Sequence, residues 1–209
     1  MSAPHTSSQF WDERYAATDV LVYGEAPNDH VVAACEYLKA NSKVISLGEG
    51  EGRNAVFLAT RGHAVHCVDL SPVGLTKAQK LAEAKGVSSL ISTQAADLSD
   101  CVFGVEQYDA VVAIWCHLPS ALRRSVHERA VHSLKPGGIV LLEAYTPANI
   151  GRGTGGPGAA DFCMSEEILR AEFGDSVEWK LMREVEREVK EGSYHTGLSA
   201  TVQAIAVKK

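Results

Sequence analysis

Apolar residues along this chain come in short runs separated by amphipathic stretches, and the spacing predicts alternating strands and helices. Val44, Ile45 and Leu47 mark a first strand over Lys43–Leu47. Ala55, Leu58 and Ala59 share one face of a helix over Asn54–Arg61, which Gly62 stops. Ala64–Val68 reads as a second strand. Ser71 then caps a helix that has Pro72 at its first position and runs to Gly86. Leu90–Gln94 and Asp109–Ile114, the latter wholly apolar from Ala110 to Ile114, are the third and fourth strands. A helix over Pro119–Leu134 carries Leu122, Val126, Ala130 and Leu134 on one face. Pro136-Gly137-Gly138 makes a tight turn before the fifth strand, Ile139–Glu143. This alternation implies right-handed crossovers and a mostly parallel, doubly wound α/β sheet covered on both faces.

The ends of the chain break the pattern. Residues 1–9 are small and polar and are expected to be disordered, and Phe10–Tyr15 and Asp29–Ala40 read as helices. Residues 149–157 form a glycine-rich loop, and a short helix opens at Ser165 and stops before Gly174. Two long segments follow, Val177–Val189 and Thr196–Val207. Leu198, Ala200, Val202, Ala204 and Ala206 share one parity in the second, as a strand requires. Their short connection makes them an antiparallel hairpin that finishes the parallel sheet. No compositional break divides the chain. A single domain over 1–209 is therefore expected, its stretches being 1–40, 41–145 and 146–209.

Composition narrows the function. The 209 residues carry a formal net charge of −6, which argues against broad nucleic-acid binding, because that needs lysines and arginines against phosphates. The 5 cysteines are widely spaced without a CxxC, so neither a disulfide framework nor a metal site is expected. Cys35, Cys67 and Cys101 read as small core residues. The N-terminus lacks an apolar core of signal-peptide length, and no stretch approaches the ~20 apolar residues of a membrane span. A cytoplasmic protein without membrane contact, either a monomer or a weak dimer, is expected.

Candidate chemistry begins where the first strand breaks into Gly48, Gly50 and Gly52 before a helix opens, because bare backbone there lets a ligand approach. Asp69 ends the second strand, where a carboxylate accepts hydrogen bonds from ribose hydroxyls. A P-loop is excluded, since nothing matches GxxxxGK[ST]. Gly50, Gly52 and Ala55 satisfy a permissive dinucleotide pattern, so an NAD-type oxidoreductase is one reading. The alternate glycines, Asp69, Asp97 and Lys135-Pro136-Gly137-Gly138, in that order, favour S-adenosylmethionine instead. As isolated features, these acids are ordinary loop or helix-start residues and the PGG an ordinary turn.

With those residues the chain resembles the class I S-adenosylmethionine-dependent methyltransferases over roughly residues 10–145. Trp11-Asp12-Glu13-Arg14-Tyr15, Tyr23-Gly24-Glu25, Pro27-Asn28, Gly50-Glu51-Gly52-Arg53-Asn54-Ala55 and Cys116-His117-Leu118-Pro119 look most like the tellurite-resistance and thiopurine-type small-molecule enzymes. So does the ending from Glu186-Arg187 through Glu191-Gly192-Ser193-Tyr194-His195-Thr196-Gly197. The resemblance implies a Rossmann-like sheet of seven strands and S-adenosyl-L-methionine as cofactor. It implies that Gly48, Gly50 and Gly52 let the methionyl and ribose parts lie on the backbone. Asp69, with Leu70 beside it, would hold the ribose, and Asp97 and Leu98 would face the adenine. Ile114 and Trp115 would lie beneath the sulfonium. Trp11, Arg14 and Tyr23 would form a lid, with Arg14 a candidate for the methionyl carboxylate or, alternatively, a surface ion pair. Trp11 and Tyr23 also fit plain packing. The family's usual acid two residues before the first glycine is replaced by Ser46, and Glu49 is the candidate substitute.

The acceptor is expected to be a small soluble molecule: a thiol, a metalloid oxyanion or a heterocycle. A catalytically silent cofactor-binding protein is a further reading. His117 and His195 are the candidate general bases, and His195 also fits a polar turn. Arg152 and the 149–157 loop are candidates to close over substrate. Arg183 and Arg187 read better as a solvated edge than as an anion contact.

Overall fold

The computed structural model describes residues 7–209, so the expectation of disorder over 1–9 falls largely outside it. Ser7 instead caps a helix that already begins at Ser8, its hydroxyl accepting from the Phe10 amide at 3.2 Å. The elements are α1 (Ser8–Ala16), α2 (Asp29–Ala34), β1 (Lys43–Leu47), α3 (Arg53–Thr60), β2 (Ala64–Asp69), α4 (Pro72–Ala84), β3 (Ile91–Ala95), β4 (Tyr108–Ile114), α5 (Ser120–Ser133), β5 (Leu134–Tyr145), α6 (Glu166–Phe173), β6 (Val177–Glu191) and β7 (His195–Lys208). They form one seven-stranded sheet in the order β3-β2-β1-β4-β5-β7-β6. The strands β1 to β5 pair in parallel, and β7 runs antiparallel to both β5 and β6.

The predicted alternation is therefore present, with three local differences. The second helix ends at Ala34 and tightens into a 3-10 turn over Cys35–Tyr37 rather than continuing to Ala40. The fifth strand starts at Leu134, which pairs with Tyr108, and the PGG turn bulges out where the register shifts. Leu198 shares the parity of the buried Ala200, Val202, Ala204 and Ala206 but is 53% exposed, because it lies past the end of β5 and meets no covering layer.

Two apolar layers hold the sheet. One packs α5 and α6 onto Ile45, Leu47, Val111, Leu142, Val202 and Ala204. The other packs α2 and α3 onto Val44, Val65, Ala110, Val112 and Leu141. A right-handed sheet with helices on both sides leaves the carboxyl ends of β1 to β4 open along one edge. That edge is where the site lies.

Gly52 is needed for packing. It opens α3 at φ 89°, and a Cβ there would sit 2.5 Å from the Cβ and 2.8 Å from the Cα of Ala78 in α4. Gly52→Ala should cost about 2–4 kcal/mol in urea unfolding, from left-handed strain plus overpacking. Gly86→Ala should cost only about 1–2 kcal/mol, since Gly86 shares the positive φ but a Cβ there meets nothing within 4 Å. Equal costs at the two positions would show that α3 and α4 separate easily.

Candidate functional site

The turn after β1 is built around two acids. Gly48 donates its amide to the Val68 carbonyl at 2.8 Å, tying the turn to β2. The Asp69 carboxylate accepts from the Gly50 and Ser71 amides, each at 2.8 Å. Burial raises Asp69 from the ordinary carboxylate range to about 6, against the lowering effect of those amides. Glu49 folds back beneath the turn, accepting from the Ser46 hydroxyl and from the Ala55 amide at 2.9 Å. Ser46 and Glu49 are thus held together beneath the turn. Burial also raises Glu49.

These residues wall a cavity of about 300 Å³, within the range of small-molecule sites. Its floor comes from the carboxyl ends of the parallel strands: Gly48 and Glu49, Asp69 and Leu70, Asp97 and Leu98, Ile114 and Trp115. Trp11, Tyr15 and Tyr23 arrive from the N-terminal segment, His117 follows β4, and His195 arrives from β7. Of the candidate cofactor and general-base residues, all lie at this wall except Gly50, Gly52 and Arg14, and Ser46, Arg152, Arg183 and Arg187 also lie away from it. Gly50 has a different reason to lack a side chain, because a Cβ there would come within 2.6 Å of the Tyr15 hydroxyl. Arg14 donates to the Tyr23 hydroxyl at 3.0 Å, and its guanidinium stacks over the rings of Tyr194 at 4.3 Å and Phe10 at 4.6 Å. It braces the aromatic segment, neither as a plain surface ion pair nor at the cavity wall.

Both histidines are constrained. His117 Nε2 accepts from the Tyr145 amide at 3.0 Å, while Nδ1 lies 3.0 Å from the Trp115 carbonyl. That pairing places the proton on Nδ1 and occupies the remaining lone pair. His195 sits among Tyr23, Trp115 and Tyr145, with centroids 4.9, 5.2 and 5.3 Å away. Burial first, then the neighbouring His117, lowers it to about 3, so it is neutral at physiological pH. Its Nδ1 is buried without a hydrogen-bond partner.

Trp115 adopts φ 56°, a conformation rare for a bulky side chain and retained only where surroundings over-determine it. Its ring stacks on Tyr145 at 4.4 Å, and its indole N–H donates to Glu191 at 2.5 Å. Glu191 is one member of a buried ion cluster. It pairs with Arg53 and Arg187, Arg187 also pairs with Glu143, and the Asn28 amide donates to Glu143 at 2.6 Å and to Glu191 at 2.9 Å. Arg187 is therefore no solvated edge, and Arg183 is bonded to Gln203. Arg152 pairs with Glu186. The sequence carried one signal of this cluster: Glu143 ends the wholly apolar run Ile139–Leu142, where a lone acid needs a buried partner. Arg53, Asn54, Tyr15 and Cys116 also line the cavity without having been singled out there for a role. Burial pushes the Cys116 thiol up to about 12, which removes it as a nucleophile.

Residues 44–138 match the methyltransferase domain family. That segment is similar to methyltransferase domains, and the chain spans less than half the length of the curated relatives it first matches. It is 34% identical over 109 residues to the tRNA 5-carboxymethoxyuridine methyltransferase of Escherichia coli, a match covering 49% of this chain and 40% of that relative. It is 23% identical over 138 residues to the 2-heptyl-1-hydroxyquinolin-4(1H)-one methyltransferase of Mycobacteroides abscessus, covering 65% and 60%. Among solved structures, the N-methyltransferase NodS of Bradyrhizobium japonicum in complex with S-adenosylhomocysteine superposes over 97% of this chain and 98% of its own, with TM-score 0.74 at 15% identity. The cavity fits S-adenosylhomocysteine on chemical grounds. Asp69 offers an acceptor for hydroxyl pairs, Leu70, Ala96 and Leu98 make an apolar slot for a flat base, and Gly48 brings backbone to the wall.

A raised Asp69 makes binding pH-dependent. Above about 6 it is ionised and accepts hydroxyls, whereas below that it must give up a proton first. Affinity for S-adenosylhomocysteine should therefore fall about tenfold per pH unit below 6. Asp69→Asn should bind more weakly at pH 8 and flatten this slope in calorimetry. An unchanged slope would place the titrating group elsewhere.

Proposed function

We propose that this protein transfers a methyl group from S-adenosylmethionine to a small soluble acceptor: a thiol, a metalloid oxyanion or a heterocycle. The observation that carries the reading is the cavity itself. Residues from the N-terminal segment, the ends of four of the five parallel strands and the hairpin converge on a cavity of about 300 Å³, the size of a small-molecule site. When bound, S-adenosylmethionine supplies a methyl group already activated by a positive sulfur.

The chain's own residues then have to bind, orient and exclude water. Asp69 would hold the ribose hydroxyls and Asp97 and Leu98 the base. Trp11, Tyr15 and Tyr23 would cover the reacting end against solvent. In this reading residues 1–40 act as the lid, 41–145 as the cofactor core and 146–209 as the acceptor side. Neither histidine is poised as a strong base, since the His117 lone pair is held by the Tyr145 amide and burial keeps His195 neutral. An acceptor that needs little proton removal before attack suits this site. The acidic wall of Glu49, Asp69 and Asp97 disfavours a phosphate backbone, which supports a small acceptor over a nucleic acid. Five free cysteines suit a reducing, cytoplasmic setting.

The experiment is calorimetric titration with S-adenosylmethionine, S-adenosylhomocysteine and NAD on wild type and Asp69→Ala. Adenosyl ligands should bind in the micromolar range and lose at least about tenfold in the variant, the loss expected for a charge-assisted hydrogen-bond pair. Binding of NAD alone would overturn the reading. Adenosyl binding with no turnover across thiol, oxyanion and heterocycle acceptors would favour a silent binding protein.

A further inference from the structure

The cavity's charges and rings narrow the acceptor, and this inference rests on the methyl-transfer reading above. Four ionisable side chains of fixed sign reach the wall, three acids and one cation. The cation, Arg53, is spent: it pairs with Glu191 and donates to the Ala26 carbonyl at 3.1 Å. Arg187 lies 5.8 Å over the Trp115 ring but is held by Glu143 and Glu191. Arg14 is stacked between the rings of Phe10 and, from the hairpin, Tyr194. An oxyanion entering this space would lose its water with no uncommitted side-chain cation among the described residues to receive it.

Aromatic surface is what the wall has in excess. Trp11, Tyr15, Tyr23, Trp115, His117 and His195 all face the cavity, and the buried His195 is neutral. Tyr23, Trp115 and Tyr145 surround His195 with tilted rings, so the box offers both ring edges and ring faces. Trp115 is held there against its own backbone preference by Glu191 and Tyr145, which argues that its position is what the surroundings are built to fix. The unpartnered Nδ1 of His195 is a polar atom that a ring heteroatom would satisfy.

We propose that the acceptor is an uncharged, flat aromatic molecule that packs against Trp115, and that Trp115, positioned by Glu191, determines acceptor specificity. The test uses protein saturated with S-adenosylhomocysteine, titrated calorimetrically with 4-hydroxyquinoline, 2-mercaptoethanol and tellurite as probes. The heteroarene should bind at least about tenfold more tightly than either other probe, in keeping with the worth of a stacked ring. Trp115→Leu should weaken the heteroarene about tenfold more than it weakens S-adenosylhomocysteine itself. Should that variant fail to fold, Trp115→Phe keeps a ring and Glu191→Gln keeps a hydrogen-bond acceptor for the indole. Each should lose heteroarene affinity by a smaller factor. Tellurite binding as tightly as the heteroarene, no heteroarene binding at all, or indifference to every one of these substitutions overturns the proposal. Failure of wild type to bind S-adenosylhomocysteine is a different result, which removes the methyl-transfer reading and this proposal with it.

Discussion

The structure turns on a buried cluster of two acids and two arginines. Glu143 is fully buried in the middle of the sheet, and Glu191 lies at the tip of the hairpin. Each would be costly to bury alone. Arg187 spans them, Arg53 completes the balance from the start of α3, and the Asn28 amide donates to both acids while its oxygen caps α2. Such a cluster adds little stability over a well-packed apolar alternative. Removing one partner, however, strands a charge at a cost of about 3–5 kcal/mol. Its effect is specificity: N-terminal segment, cofactor turn and hairpin have one mutual arrangement in which all the charges are satisfied.

That arrangement delivers the site. Arg53 stands immediately after the glycine turn, so the turn and the hairpin tip are fixed to each other. The same Glu191 receives the indole N–H of Trp115 and so offsets the strain of a left-handed tryptophan. The hairpin tip also clamps the N-terminal segment, since Ser193 donates to the Val22 carbonyl at 3.0 Å and Val22 donates to Glu51 at 2.7 Å. A loop that carries aromatic side chains over the cavity is thereby held at both ends.

Electrostatics and packing divide the cavity between them. Asp69, Glu49 and Asp97 give its wall an acidic character, which suits a ligand with hydroxyls and positive charge. The aromatic residues of the opposite side supply area without charge. The raised Asp69 and the lowered His195 share one cause, the loss of water around both groups.

Most of the fold was legible in the sequence because it depends on local periodicity. Apolar runs of strand length, helical faces such as Leu122, Val126 and Ala130, the Ser71-Pro72 start and the glycine turn each act over a few residues, where spacing alone carries the information. The order of acids after the strands likewise placed Asp69 and Asp97 at one edge. What the sequence did not determine is which distant side chains meet. Arg187 looked like a solvated strand residue until β7 and β5 brought Glu143 beside it. Arg14 looked like an anion ligand until aromatic neighbours claimed it, and Gly52 like a ligand contact until α4 packed Ala78 against it. His117 read as a base until the Tyr145 amide occupied its lone pair. Each of these outcomes depends on a partner from 26 to 180 positions away in the chain. Only the closed tertiary structure settles such pairings, because burial forces every charge and polar atom to find a partner.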